Sequence, residues 1–134
     1  MKKLTKYMIT AVILISLAGC GNIRNVKVID WTPSELYTDK DIHKAINVIK
    51  TEFALKWDGC TLTEITYAGD DVSLAHQDWA LRNNATEVIV LTSSFDVDSS
   101  GADGSLNPNS TYTRWSWILI RDEKGYWKHV DHGY

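Results

Sequence analysis

The carboxyl-terminal segment, residues 111–134, constrains the fold most strongly, because it consists of two amphipathic runs joined by a short polar turn. The runs, TYTRWSWILIR and YWKHVDHGY, are rich in aromatic and β-branched residues, which is typical of β-strands that bury one face. The turn at 122–125 ends in a glycine, which suits a left-handed turn position. The sequence therefore predicts a β-hairpin with an aromatic face that the rest of the chain must cover.

The register of this hairpin decides which side chains share the aromatic face. A three-residue loop with Gly125 as the bulge would pair His129 with Leu119 and Asp131 with Trp117. Residues two apart in a strand share a face, so this register collects six side chains on one face: Trp115, Trp117, Leu119, Trp127, His129 and Asp131. A four-residue loop would shift the pairing by one and turn the histidine and the aspartate out of the aromatic cluster.

The preceding segments predict two helices and two further strands. A capping threonine and first-turn acids precede apolar residues at helical spacing, which predicts an amphipathic helix over 39–57. Residues 61–67 and 87–95 predict strands, the second central in a sheet because half of it is continuously apolar. A shorter helix is expected over 73–83. Helices segregated against an antiparallel sheet make an α+β layer fold.

The amino-terminal sequence has the pattern expected of an export signal. A lysine-bearing start precedes an apolar run at 8–18, which is too short to span a membrane permanently and predicts a signal peptide over residues 1–19. The next residues, Leu17-Ala18-Gly19-Cys20, resemble the lipobox of bacterial lipoproteins. The resemblance implies cleavage before Cys20, diacylglycerol on its sulfur and a fatty acid such as palmitate on the new amino terminus. The alternative is an ordinary secretory signal with a chance cysteine.

The exported part is acidic and has one further cysteine. Without the three lysines of the signal peptide, it has 11 basic and 17 acidic residues, a net charge of −6. This balance makes nucleic acid an unfavourable partner and favours membrane attachment through a lipid on Cys20, at the extracytoplasmic face of the plasma membrane. Cys60 then lacks a disulfide partner and is expected to be a small buried residue. Residues 20–34 are expected to form a lipidated tether, with an extended piece near 26–29.

Residues 35–134 resemble a known domain pattern, in which a helix precedes a curved sheet that ends in W-x-x-V-x-H, here Trp127, Val130 and His132. This pattern resembles the nuclear transport factor 2-like, or cystatin-like, α/β roll. It is still more similar to a domain of unknown function in lipoproteins of Gram-positive, spore-forming bacteria. The resemblance implies a long amino-terminal helix on a curved antiparallel sheet of about four strands. Such rolls include enzymes, binding modules and dimerisation domains, so the fold alone implies no single function.

The aromatic face supplies the candidate catalytic residues. His129 and Asp131 would lie among indoles, where burial and mutual attraction can tune a general base. His132 is expected to point to the opposite face. Three tryptophans would line the pocket: Trp115, Trp117 and Trp127. The alternative is that the histidine and the carboxylate satisfy each other and that the indoles are simply core.

The loop after the central strand suggests one metal site. Asp96, Asp98 and Ser100 match the first three oxygen donors of a twelve-residue calcium loop, with glycine at the sixth position. The match fails at position twelve, where Asn107 replaces the bidentate glutamate. The alternative is a solvated acidic turn, and no other cofactor is predicted.

These observations predict a lipid-anchored binding or accessory module for a small ligand or an envelope protein. Two alternatives remain from the sequence. One is a small hydrolase or isomerase that uses His129 and Asp131. The other is a self-association domain that forms a homodimer through the outer face of its sheet.

Overall fold

The computed structural model describes residues 20–123 and 125–134. The predicted signal peptide, residues 1–19, lies outside this part of the chain. Among the described residues, every helix is too short or too polar to cross a bilayer.

The main helix, α1, spans Asp39–Lys56, in agreement with the prediction for 39–57. It begins at Thr38, whose hydroxyl accepts a hydrogen bond from the Asp41 amide at 3.1 Å and so satisfies a free amide of the first turn. Its apolar stripe is fully buried: Ile42, Ala45, Ile46, Ile49 and Phe53. The helical spacing of these residues therefore sets the face that packs on the sheet.

The sheet has five strands rather than about four, and neighbouring strands follow one another in sequence. They are β1 (Lys27–Val28), β2 (Cys60–Tyr67), β3 (Glu87–Val97), β4 (Thr111–Arg121) and β5 (Lys128–Gly133). Strands β2 to β5 are antiparallel, whereas β1 lies parallel to β2 at the edge. The fold is α+β, as predicted.

Two short helices cover part of the outer face of the sheet, where one helix over 73–83 was predicted. They are α2 (Asp70–Ala75) and α3 (Gln77–Arg82), separated by His76. The hydroxyl of Ser73 accepts a hydrogen bond from the Val90 amide of β3 at 3.1 Å, which holds α2 on the sheet. Two short helices therefore replace the single predicted helix, and the first of them is held by a tertiary contact with β3.

Residues 20–34, predicted as a tether, lie against the domain. Asn22 hydrogen-bonds to β2 through the Cys60 carbonyl at 2.8 Å and the Leu62 amide at 2.9 Å. A Cβ atom added at Gly21 would overlap the Phe53 carbonyl oxygen at the end of α1. The extended piece predicted near 26–29 is the edge strand β1. The folded part of the chain therefore includes residues that precede residue 35.

Arg121 fixes the hairpin to the beginning of α1. Its buried guanidinium contacts Glu87 on β3 and the Asp41 carboxylate at 3.2 Å, and it stacks 4.1 Å above the Trp127 ring. The hydrogen bond from Arg121 is the main cause of the lowered pKa of Asp41. The two carboxylates neutralise the charge of Arg121. Its contacts with Asp41 and Trp127 hold the hairpin, and with it β5, beside α1.

Candidate functional site

A β-bulge in the final hairpin determines which side chains form the site. The hairpin pairs His129 with Leu119, as one of the two registers predicted. Beyond this pair β5 carries one extra residue, so the residue opposite Trp117 is His132 and not Asp131. The predicted position of Asp131 is therefore wrong, and so is the prediction that His132 points away from the aromatic face.

Asp131 belongs to the other side of the sheet. It pairs with Ile118, which packs in the cluster beneath α2 and α3. The backbone carbonyl of Asp131, rather than its carboxylate, contacts His129, at 3.0 Å from the Nε2 atom. The extra residue reverses the side-chain alternation of the strand, so the predicted carboxylate–histidine pair is not brought together.

Glu52 supplies the carboxylate that contacts His129. It extends from α1, and its Oε2 atom contacts the His129 Nδ1 atom. Its Oε1 atom accepts a hydrogen bond from the Lys56 ammonium at 3.1 Å. On the far side of His129, its Nε2 atom lies 3.3 Å from Nδ1 of His132. The side chains of Glu52, His129 and His132 therefore form a polar row that runs from α1 to the end of β5.

Three indoles surround the inner side of His132. The ring centroids of Trp57, Trp117 and Trp115 lie 5.1, 5.4 and 5.9 Å from the His132 centroid. Although the outer edge of His132 is exposed, burial of its inner side lowers its pKa, and the neighbouring His129 adds to the effect. The neutral ring favoured at neutral pH can accept a proton or a hydrogen bond at one nitrogen.

An upper groove runs between α1 and the beginning of β5, with a volume of about 1140 Å³. Its walls include Lys44, Val48, Leu55, Tyr126, Trp127 and Lys128. Leu55 and Tyr126 are 69% and 99% exposed, so both offer apolar surface to a molecule in the groove. The groove therefore combines an apolar surface with lysine ammonium groups, although the domain as a whole is acidic.

A lower groove of about 870 Å³ lies on the other side of the Glu52–His129 pair. It is bounded by the end of α1, the histidines and a loop, with Trp57, Ala102, Leu106, Trp115 and His132 among its walls. The indole N–H of Trp115 is buried and has no hydrogen-bond partner among the described residues. Since an unpaired buried donor is costly, this atom marks where an acceptor would be favourable.

No family model, curated protein or solved structure matches the chain. Its candidate site is therefore defined by the geometry of its own residues.

The predicted pocket tryptophans have different positions. Trp115 lines the lower groove, and Trp127 lines the upper groove while donating its indole N–H to the Asp41 carbonyl at 3.1 Å. Trp117 is fully buried, and its indole N–H donates to the Ser93 hydroxyl at 2.7 Å. Trp117 is thus core that supports the histidines, and Trp57 at the end of α1 is the indole that the sequence did not indicate.

Glu52 was not predicted as a site residue either, although its place in α1 gives an indication. It directly precedes Phe53 and so borders the buried stripe of α1, where a carboxylate can reach the edge of the sheet. Pairing it with a particular histidine requires knowledge of how α1 lies on β5. Helical periodicity alone does not provide that information.

The residues predicted to bind calcium are engaged within the protein. The Asp96 carboxylate accepts a hydrogen bond from the Thr111 hydroxyl at 2.7 Å. The Asp98 carboxylate accepts the amide and the hydroxyl of Ser100 at 2.9 and 2.5 Å, and these bonds lower its pKa. Within residues 20–123 and 125–134, no three acidic, histidine or cysteine residues are grouped as a metal site. The loop geometry corresponds to an Asx-type turn.

Cys60 is buried at the beginning of β2. Burial, with smaller contributions from Asp98 and Asp58, raises its thiol pKa to about 11. Since a thiolate is required for nucleophilic chemistry, this cysteine acts as a small apolar side chain. Cys20, the predicted lipidation residue, is half-buried immediately before Gly21.

Proposed function

We propose that the chain is a lipid-anchored envelope protein whose grooves bind a small ligand, or a segment of an envelope protein, with an apolar body and an acidic group. The observation that carries this proposal is the pair of grooves on either side of the Glu52–His129 contact. Binding sites typically combine an apolar lining with a few polar groups that fix orientation. Both grooves have this composition.

The charges around the upper groove favour an anion. Lys44 and Lys128 stand on opposite walls, whereas the carboxylate at the groove, Glu52, already contacts His129 and Lys56. A ligand carboxylate or phosphate would therefore meet two ammonium groups that form no salt bridge within residues 20–123 and 125–134. Leu55 and Tyr126 would contact its apolar part.

A panel of aromatic carboxylates tests this proposal by thermal shift, with the corresponding amines as negative probes. We expect carboxylates to raise the melting temperature of the wild-type protein. Thr51→Trp should weaken the effect, because Thr51 is an exposed residue of the upper groove that a large ring would fill. Lys40→Trp, on an exposed turn of α1 outside the grooves, is the matched control and should retain it. Stabilisation by neither compound class, or equal stabilisation of both variants, contradicts the proposal.

The anchor is proposed from the Leu17–Cys20 motif and the apolar run before it. Expression in a bacterial host with lipoprotein processing should give a mature protein that begins at Cys20 and carries diacylglycerol. Mass spectrometry of the amino-terminal peptide measures both features. Cys20→Ala should abolish the added mass and release the protein from membranes, and an unmodified Cys20 in the wild type would contradict the anchor.

The α/β roll of the nuclear transport factor 2-like type is proposed as the finer description of the fold. Its support is the arrangement of α1 across one face of a mostly antiparallel sheet. An experimental structure in which β2 to β5 curve around α1 would support this assignment, and a flat sheet would not.

Proton transfer by His132 is a second candidate function. Among the described residues, Nε2 of His132 has no hydrogen-bond partner, and its Nδ1 side is backed by His129 and Glu52. A partly exposed histidine in such a row can act as a general base. If a turnover assay with ester or lactone probes detects activity, His132→Asn should abolish it and Asp131→Asn should not.

Self-association remains a prediction with less support. The part of the outer sheet face beyond α2 and α3 carries short polar side chains such as Thr92, Ser94 and Ser116. Stable homodimer interfaces usually have an apolar centre. Light scattering of the detergent-free domain tests the point, since a concentration-independent monomer would argue against a dimer.

A further inference from the structure

The domain begins directly after the proposed lipidated residue. Gly21 is wedged against the end of α1, because a Cβ atom there would overlap the Phe53 carbonyl oxygen and lie 2.9 Å from that of Trp57. The backbone amide and the backbone carbonyl of Asn22 are both hydrogen-bonded to β2. Since one residue spans at most about 3.5 Å, Cys20 has almost no slack relative to the fold.

This attachment lies at one particular end of the domain. Here α1 ends, β2 begins, β3 ends and β4 begins, and the loop over 98–110 joins the last two. The Asp98 amide donates to the Gly59 carbonyl at 2.9 Å, which ties the loop to the turn after α1. The opposite end carries the amino terminus of α1 and the hairpin turn. An α-helix of 18 residues separates the two ends by about 27 Å.

The lower groove shares residues with the attachment end. Trp57 forms part of its wall, and the Trp57 carbonyl is also the atom that approaches Gly21. The loop also lines this groove, through Ala102, Asp103, Ser105 and Leu106. The groove and the amino-terminal attachment are therefore neighbours in the structure.

We infer that the anchored domain presents this end, formed by Trp57, Gly59 and the loop over 98–110, to the bilayer, so that the lower groove opens beside the lipid headgroups. The inference rests on the proposed lipidation of Cys20. Its partner is the headgroup layer of a membrane. Asp58 and Asp103 lie at this end, so charge attraction to an anionic surface does not produce the contact. The short covalent connection does.

Proximity quenching on vesicles tests this orientation. Single cysteines for a fluorescent label are introduced at two exposed positions, Ser105→Cys in the loop and Asp122→Cys at the far end, in a Cys60→Ala background. The lipidated proteins are reconstituted in phosphatidylcholine vesicles that contain a headgroup-nitroxide lipid. We expect strong quenching of the label at position 105 and weak quenching at position 122.

A spacer variant provides the matched control. A Gly/Ser linker of about ten residues between Cys20 and Gly21 adds an average reach of about 17 Å, so the domain can rotate. The difference in quenching between the two positions should then largely disappear. Equal quenching at both positions without the spacer, or stronger quenching at position 122, overturns the inferred orientation.

The same preparation separates this inference from the proposed anchor. If the labelled protein does not float with vesicles and its amino terminus carries no diacylglycerol, the anchor itself fails. If the protein is lipidated and floats but shows no difference between the two positions, only the orientation fails.

Discussion

His129 contacts the carboxylate of Glu52 through its Nδ1 atom, across the interface between β5 and α1. This contact connects the last strand of the sheet to the main helix and separates the upper groove from the lower groove. It places a partly buried polar pair where both grooves can reach it. The stability and the chemistry of the site therefore depend on the same two side chains.

Removing the charge of Glu52 should destabilise the fold. In Glu52→Gln, the side chain keeps its shape but loses the carboxylate that contacts His129 and Lys56, and we expect the free energy of unfolding to fall by about 1–2 kcal/mol. Urea denaturation measures this change. Asp131→Asn is the matched control and should change the free energy by less than about 0.5 kcal/mol, because the Asp131 carboxylate lies on the other face. A larger loss for Asp131→Asn than for Glu52→Gln would indicate that the bulge is wrongly placed.

Mild acid should destabilise the domain through His132. Its pKa in the folded state is lowered by burial and by His129, while Asp131 and Glu52 oppose the shift. The unfolded chain, with a histidine pKa of about 6.5, therefore binds the proton more readily. The free energy of unfolding should fall as the pH drops below about 6.5, until the folded pKa is passed. Denaturation at several pH values should show a shallower dependence for His132→Asn, and an unchanged dependence would contradict this account.

Gly21 should not tolerate a side chain. The methyl group of Gly21→Ala would collide with the backbone of α1, and displacement of the segment should cost about 2 kcal/mol. Asn25→Ala, in an exposed turn of the same segment, serves as the comparison and should be nearly neutral. Thermal denaturation of both variants measures the difference. Equal melting temperatures would show that residues 20–22 do not pack on the helix in solution.

Arg121 should not be replaceable by lysine. The planar guanidinium contacts Glu87 and Asp41 and stacks on Trp127, whereas an ammonium group cannot make all three contacts. We expect Arg121→Lys to lower the free energy of unfolding by about 2 kcal/mol. Arg114→Lys, at an exposed position of β4, should change it by less than about 0.5 kcal/mol. Similar values for the two variants would refute the role of Arg121.

The main helix and the longer strands could be predicted from the sequence because each has a strong local pattern. The stripe from Ile42 to Phe53 has helical spacing, and the apolar run in β3 has no competing interpretation. The break at His76 could not be predicted, because residues 73–83 contain no proline or glycine that would interrupt the helical pattern. Local patterns specify the type of an element more reliably than its interruptions.

The candidate site was only partly predictable. The aromatic face and His129 follow from alternation, but a single extra residue in β5 exchanges Asp131 for His132. No glycine or other local sequence signal indicates the bulge in β5. Glu52 and Trp57 lie at the end of α1, so their position at the site depends on how the helix crosses the sheet. The packing of residues 20–34 likewise depends on a free edge of β2.

The indole N–H resonances offer the most direct test of the central claim that the two grooves form the ligand-binding site. In a ¹H–¹⁵N correlation spectrum with assigned indole signals, titration with aromatic carboxylates should shift the signals of Trp57, Trp115 and Trp127. The signals of Trp31 and Trp79, which lie outside both grooves, should remain in place. Shifts confined to Trp31 or Trp79, or no shift at any indole at millimolar ligand, would contradict the claim.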